Sequence, residues 1–352
     1  MTDVKTLLKM MDKLGASDLF LTSGAIPHIK AEGVPRPVDL PALAPGESKE
    51  LAYQMMSPQQ RKAFEETKES NFALAYEGIG RFRVNVYYQR GEVSAVIRLI
   101  KSTIPTFEEL GLPVQAQELS LLKRGLVLMV GAAGSGKSTT MAAMVGYRAK
   151  TMEGHILTIE DPIEFLFSHG RSIVEQREVG LDTLTFGDAL RNAMREAPDV
   201  IVIGEIRDRE TAQHAIMYAE AGALCISTLH SNNANQAVDR IINFFPEDAR
   251  RQVLHDLSLN LKGVISQRLL PGTNGKQVLA TEVMLQSGYV TEMIQKGQTH
   301  TLKDAIKKGT DVGMQVFDDC LFKLYKEGRI SQEEALRNAD SHIDLSLRIR
   351  LS

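Results

Sequence analysis

The 352 residues, 43% hydrophobic and 24% charged, suffice for two or three domains with a sizeable core and exclude a disordered or collagen-like polymer. A formal net charge of −3 offers no bulk attraction to nucleic acid, so no nucleic-acid partner is expected. No run approaches the roughly 18 apolar residues that span a bilayer, so no direct membrane span is expected either.

Residues 3–14 place Val4, Leu7, Leu8, Met11 and Leu14 on one helical face, and the opening residues lack an apolar core of signal-peptide length. Asp18 to Thr22 reads as a strand, and Pro27, Pro35, Pro37, Pro41 and Pro45 then punctuate short strands and a loop. Residues 47–67 read as helical with an interruption at Ser57-Pro58, an N-cap and first-turn pair. Arg81 to Tyr87 alternates, with Phe82, Val84 and Val86 inward. Glu92 to Ile100 follows as a second strand across the turn Gln89-Arg90-Gly91. Residues 1–101 thus form an α+β module, and 102–117, broken by Pro105, Gly111 and Pro113, reads as a linker. Over 118–352 short apolar runs at 126–130, 155–159, 200–204 and 224–228 alternate with helical stretches. That pattern predicts an α/β fold with a mainly parallel sheet and helices on both faces. From Gly313 the chain reads as helices, with Phe317, Leu321 and Leu324 sharing a face. Cys225 and Cys320 sit in apolar surroundings, as buried free thiols of a reducing compartment do, and a cytoplasmic protein is expected.

The densest chemical signal is Gly131-Ala132-Ala133-Gly134-Ser135-Gly136-Lys137-Ser138, followed by Thr139, which fits G-x-x-x-x-G-K-[ST]. An apolar strand precedes it and a helix-forming run follows. Backbone N–H groups of such a loop converge on phosphate oxygens at a helix N-terminus. Lys137 supplies a point charge for the β- and γ-phosphates of ATP, and the Ser138 hydroxyl a ligand for Mg²⁺.

Two more apolar strands end in acids. Asp199 to Gly204 delivers Glu205 at its carboxyl end, where open α/β sheets bind ligands, and Glu205 reaches the metal through water. Ile156 to Ile159 leads to Glu160, Asp161 and Glu164. Glu160 and Glu164 are the candidates to orient or deprotonate water, although an acidic loop capping the next helix has the same composition. His230 ends a further strand beside Ser227 and Thr228 and suggests a polar sensor of the γ-phosphate. The scattered histidines give no metal-ligand spacing. Arg81, Arg83 and Arg98 lie on the N-terminal hairpin. They are either a solvated face or a set of planar forks that reach phosphate across a domain or subunit boundary. Arg195 and Arg207 are weaker candidates of that kind.

On the phosphate loop at 131–138, the box Thr158 to Glu164, the run Gln176 to Gly180, the strand 199–205 and the box ending Ser227-Thr228-Leu229-His230, the chain resembles the type IV pilus retraction ATPases of the PilT/PilU type, within the secretion ATPase superfamily. The run Asn232 to Pro246 is similar to the PilU members more than to PilT. The resemblance implies a PAS-like N-terminal domain, a RecA-like ATPase domain with C-terminal helices and a ring-shaped homohexamer. It implies ATP-driven retraction of pili, with pilin depolymerisation and twitching motility, in the cytoplasm at the inner membrane. Its implied partners are an inner-membrane platform protein and, for a PilU-like accessory motor, a PilT paralogue. It further implies Glu164 as catalytic glutamate, Glu205 as second acidic motif, His230 as His-box residue and Arg81, Arg83 and Arg98 as N-domain arginines. Ala223 stands where the family carries a first His, implied to sense phosphate or meet a neighbour. Gly288 to Gln295 replaces the family's retraction motif and lacks its two arginines. These departures keep open a regulatory subunit of weak ATPase activity that acts through a paralogue. A RecA-like nucleic-acid motor is a more distant reading, for which the chain shows no basic cluster interleaved with aromatics.

Overall fold

The computed structural model describes residues 3–31 and 33–352. Contacts divide it into two compact units. One runs up to Thr103 and includes Glu164–Leu166; the other comprises Ile104–Ile163 and Phe167–Ser352.

The first unit is a six-stranded antiparallel sheet in the order β3-β2-β1-β6-β5-β4. Its strands are β1 (Asp18–Thr22), β2 (His28–Ala31), β3 (Val34–Pro37), β4 (Glu69–Tyr76), β5 (Gly80–Gln89) and β6 (Glu92–Ile100). Phe82, Val84 and Val86 of β5 are fully buried, as alternation predicts. They pack with Leu19 and Leu21 of β1 against helices Val4–Lys13, Glu47–Gln54 and Pro58–Thr67. The Ser57-Pro58 signal is a full capping box: Ser57 Oγ accepts from Gln60 N, and the Gln60 side chain accepts from Ser57 N. Arg90 and Gly91, both at positive φ, turn β5 into β6.

The second unit is a seven-stranded sheet in the order β13-β12-β7-β11-β10-β8-β9. Its strands are β7 (Gly125–Val130), β8 (Gly154–Glu160), β9 (Ser172–Glu178), β10 (Val200–Ile203), β11 (Leu224–Leu229), β12 (Leu261–Pro271) and β13 (Gln277–Leu285). Every neighbouring pair is parallel except the antiparallel β12/β13. Alternation along β7 feeds two cores. Leu126, Leu128 and Val130 meet helices Phe186–Ala193, Arg209–Glu220 and Ala234–Asn243 on one face. Val127 and Met129 meet helix Lys137–Thr151 on the other. A strand buried on both sides has to be apolar throughout, hence the unbroken runs in the sequence.

The stretch expected as a linker holds helices Phe107–Leu110 and Val114–Ser120, and Phe107, Ala116 and Leu119 are buried in the second core. Pro105 and Pro113 lie at the starts of these helices, and Gly111, in the left-handed region, ends the first. The C-terminal helices Phe317–Lys326, Gln332–Arg337 and His342–Arg350 bury Phe317, Leu321, Leu324 and Leu345 against Leu270 of β12 and Val278 and Ala280 of β13. Cys225 and Cys320 are both buried free thiols.

Candidate functional site

The phosphate loop leaves the carboxyl end of β7 and opens helix Lys137–Thr151. Two of its glycines are forced by space and conformation. A Cβ on Gly131 would sit 2.3 Å from Ser135 Oγ and 2.7 Å from the Gln267 carbonyl oxygen, and Gly136 caps the helix at φ 88°. Lys137 is only 7% exposed, and its ammonium donates to the loop's own carbonyls, Gly131 O at 2.9 Å and Ala132 O at 2.8 Å. Ser138 and Thr139 lie half-buried in the first helical turn. A cavity of about 290 Å³ is lined by Gly131, Ala132, Ala133, Gly134 and Ser135 together with Asn232, Gln267, Arg268 and Leu269. Within these walls Ser135 Oγ and Gln267 Oε1 are buried without a hydrogen-bond partner, a costly arrangement unless a ligand satisfies them.

Parallel pairing brings Glu205 and His230 to the same edge. Glu205 follows β10 and His230 follows β11. Their side chains meet at 3.4 Å, Nε2 to Oε1, each about two-fifths exposed, at 38% for Glu205 and 40% for His230. The hydroxyls of Ser227 and Thr228 are engaged elsewhere: Ser227 donates to Ile203 O at 2.7 Å and Thr228 to Gly204 O at 2.7 Å. They fix the end of β10 beneath Glu205 and leave His230 as the exposed polar group of that box.

Glu160, 6% exposed at the end of β8, accepts from Thr158 Oγ1 at 2.7 Å and from Gln176 Nε2 at 3.3 Å. Asp161 faces Arg207 at 3.5 Å. Glu164 is exposed and belongs with Phe165 and Leu166 to the first unit, where Leu166 N donates to Lys101 O at 3.0 Å. In that unit Arg83 and Arg98 are cross-strand neighbours on β5 and β6. Arg98 pairs with the buried Asp18 at 2.7 Å, and Arg81 has a buried Nε without a partner. Arg195 is exposed on a single 3₁₀ turn.

Ala223 stands at the amino end of β11, its N–H bonded to Tyr218 O at 3.1 Å, while His230 follows the carboxyl end. Strand rise alone separates the two by roughly 20 Å. A side chain at 223 is therefore remote from this chain's own phosphate loop, and the departure there removes no contact to that loop.

Reading by motif passed over Asn232, Gln267 and Arg268. The Gln267 amide donates to Thr140 Oγ1 on the helix that follows the loop, at 2.7 Å. Asn232 leads into helix Ala234–Asn243, whose first N–H donates to Glu282 Oε1 at 2.8 Å. Ser266 Oγ adds a second bond to the same oxygen at 3.0 Å. Burial pushes the Glu282 carboxyl above the usual range. The available signal was Ser266-Gln267-Arg268, three polar residues inside an otherwise apolar run.

The oxygens at this edge, the Ser138 hydroxyl and the Glu205 carboxylate, are a set that suits Mg²⁺ completed by water and phosphate. Among the described residues no group of three or more His, Cys, Asp or Glu is placed to hold a metal by itself.

The family described as "Type II/IV secretion system protein" matches residues 67–334. The type IV pilus ATPase PilU of Pseudomonas aeruginosa is 51% identical over 350 residues, spanning 99% of this chain and 92% of that protein. The type IV pilus retraction ATPase PilT of the same organism is 43% identical, over 96% of this chain and 98% of its own. A crystal structure of the pilus retraction motor PilT with bound ADP superposes with a TM-score of 0.92 at 42% identity, covering 99% of this chain and 100% of that one.

Proposed function

This chain belongs to the type II/IV secretion system protein family, in its PilT/PilU branch of pilus retraction ATPases, and within that branch we propose that it hydrolyses ATP to power type IV pilus retraction. The observation that carries this reading is the loop with its folded-back Lys137 at the same sheet edge as the Glu205–His230 pair.

ATP lies along the loop, and its phosphate oxygens replace the carbonyls that Lys137 now contacts. The loop N–H groups and the start of helix Lys137–Thr151 stabilise the phosphate charge. Ser138, and Glu205 through water, would hold Mg²⁺, which would supply neutralising charge to the phosphates. His230, braced on Glu205, reports on the γ-phosphate. Glu160 and Glu164 are the acids available to orient water, with Glu164 the preferred catalytic glutamate by likeness to the family. Arg81, Arg83 and Arg98 complete the site from elsewhere in a ring hexamer. In that assembly the chain serves as the accessory motor of a PilT paralogue, peripheral to the inner membrane through a platform protein. Among the described residues no helix is long and apolar enough to cross a membrane.

Lys137→Ala should abolish ATP turnover while the melting temperature stays within a few degrees of wild type. Turnover at the wild-type rate would remove the basis of this reading. A second reading, a regulatory subunit with weak turnover, is favoured by Gly288–Gln295, a helix without the family's paired arginines. Comparing the rate of the purified chain alone and with its paralogue separates the two.

A further inference from the structure

Arg268 borders the phosphate-loop cavity, and its side chain clamps the C-terminal helices. Its terminal nitrogens donate to Asp340 Oδ1 at 2.8 Å and to Asn338 O at 2.6 Å, and its guanidinium carbon lies 3.7 Å from the centre of the Phe317 ring. Ring, carboxylate and carbonyl together hold a planar fork in one pose. Asp340 is fixed in turn: Lys303 Nζ donates to its other oxygen at 2.9 Å, and its own N–H donates to Asp318 Oδ1 at 2.7 Å. Its side chain is 10% exposed and does not line the cavity.

The neighbours of Arg268 on β12 touch the loop itself. The Gln267 carbonyl crowds Gly131, the Gln267 amide holds Thr140, and Leu269 Cδ1 would lie 3.7 Å from a Cβ on Gly136. A displacement of β12 at residue 268 is therefore felt at both ends of the loop.

We propose that Arg268 is a positioning residue of the nucleotide cavity, that Asp340 sets its pose, and that nucleotide binding is thereby coupled to the seating of the C-terminal helices on β12. This rests on the ATP reading above. Coupling is reciprocal: whatever loosens the 338–341 turn weakens nucleotide binding, and nucleotide tightens the turn.

The test measures ADP affinity together with ATP KM and kcat. Asp340→Asn should raise the ADP Kd and the ATP KM about tenfold with kcat within about twofold, and Asp340→Glu should recover most of that loss. Arg268→Lys, which keeps the charge and loses the fork, should act similarly, and the double variant should be no worse than the poorer single one, since both remove one interaction. A melting-temperature change alone would not produce this split. In the wild-type chain, ADP should slow amide exchange over residues 338–345. Wild-type ADP affinity in Asp340→Asn, or unchanged exchange at 338–345 while the phosphate loop becomes protected, overturns the proposal. Lys137→Ala distinguishes the two levels: if it retains wild-type binding and turnover, the ATP reading fails and this inference with it.

Discussion

At the scale of single residues, the site is a set of close approaches. Gly131 leaves no room for a methyl group between Ser135 Oγ and the Gln267 carbonyl. Gly131→Ala should therefore push the loop off β12, costing about 1–3 kcal/mol of stability as overpacking does. Nucleotide affinity should fall further than stability predicts, read by ADP titration beside a thermal melt; an unchanged Kd would mean that the loop tolerates the shift. Lys137 was legible as a motif position because phosphate chemistry dictates residue type and spacing, and Glu205 and His230 as polar residues at the ends of apolar strands. Gln267 and Arg268 were not, since a glutamine or arginine in a strand carries no pattern until its neighbours in space are known. Ser227 and Thr228 show the converse. They stood beside His230, the residue read as a γ-phosphate sensor, and both hydroxyls hold the backbone at the end of β10.

At the scale of elements, legibility followed burial. Strands β7, β10 and β11 are buried along their length and so read as unbroken apolar runs, while β5 alternates cleanly. Edge strand β4 escaped notice because Phe72 is its single fully buried side chain. In β12 the polar Ser266, Gln267 and Arg268 hide the strand, and only pairing with β7 and β13 explains it. The two short helices inside 102–117 and its continuation were masked by Pro105, Gly111 and Pro113. Caps, in contrast, are local and were readable. Ser57→Ala breaks one half of the capping box and should lower stability by about 1 kcal/mol. The measurement is a denaturant midpoint with unchanged slope, and a shift indistinguishable from zero would deny the cap any role.

At the scale of the whole molecule, the ring hexamer proposed above makes a prediction about mass. Adding ATP and Mg²⁺ should shift the solution mass toward six copies, and Lys137→Ala should blunt that shift. A chain that stays monomeric with nucleotide bound and shows no turnover would favour the regulatory subunit. The sequence by itself determined the α/β class, the phosphate loop and the acids at strand ends, because strand period, helix caps and phosphate chemistry each act over a few residues. Only the tertiary structure decided which of those groups share an edge. Parallel register sets Glu205 against His230, strand direction puts Ala223 at the far end of β11, and β12 carries Gln267 and Arg268 to the loop from more than 120 residues away in sequence. Such long-range pairings are fixed by burying whole faces of a sheet, a collective free energy that no short window of sequence contains.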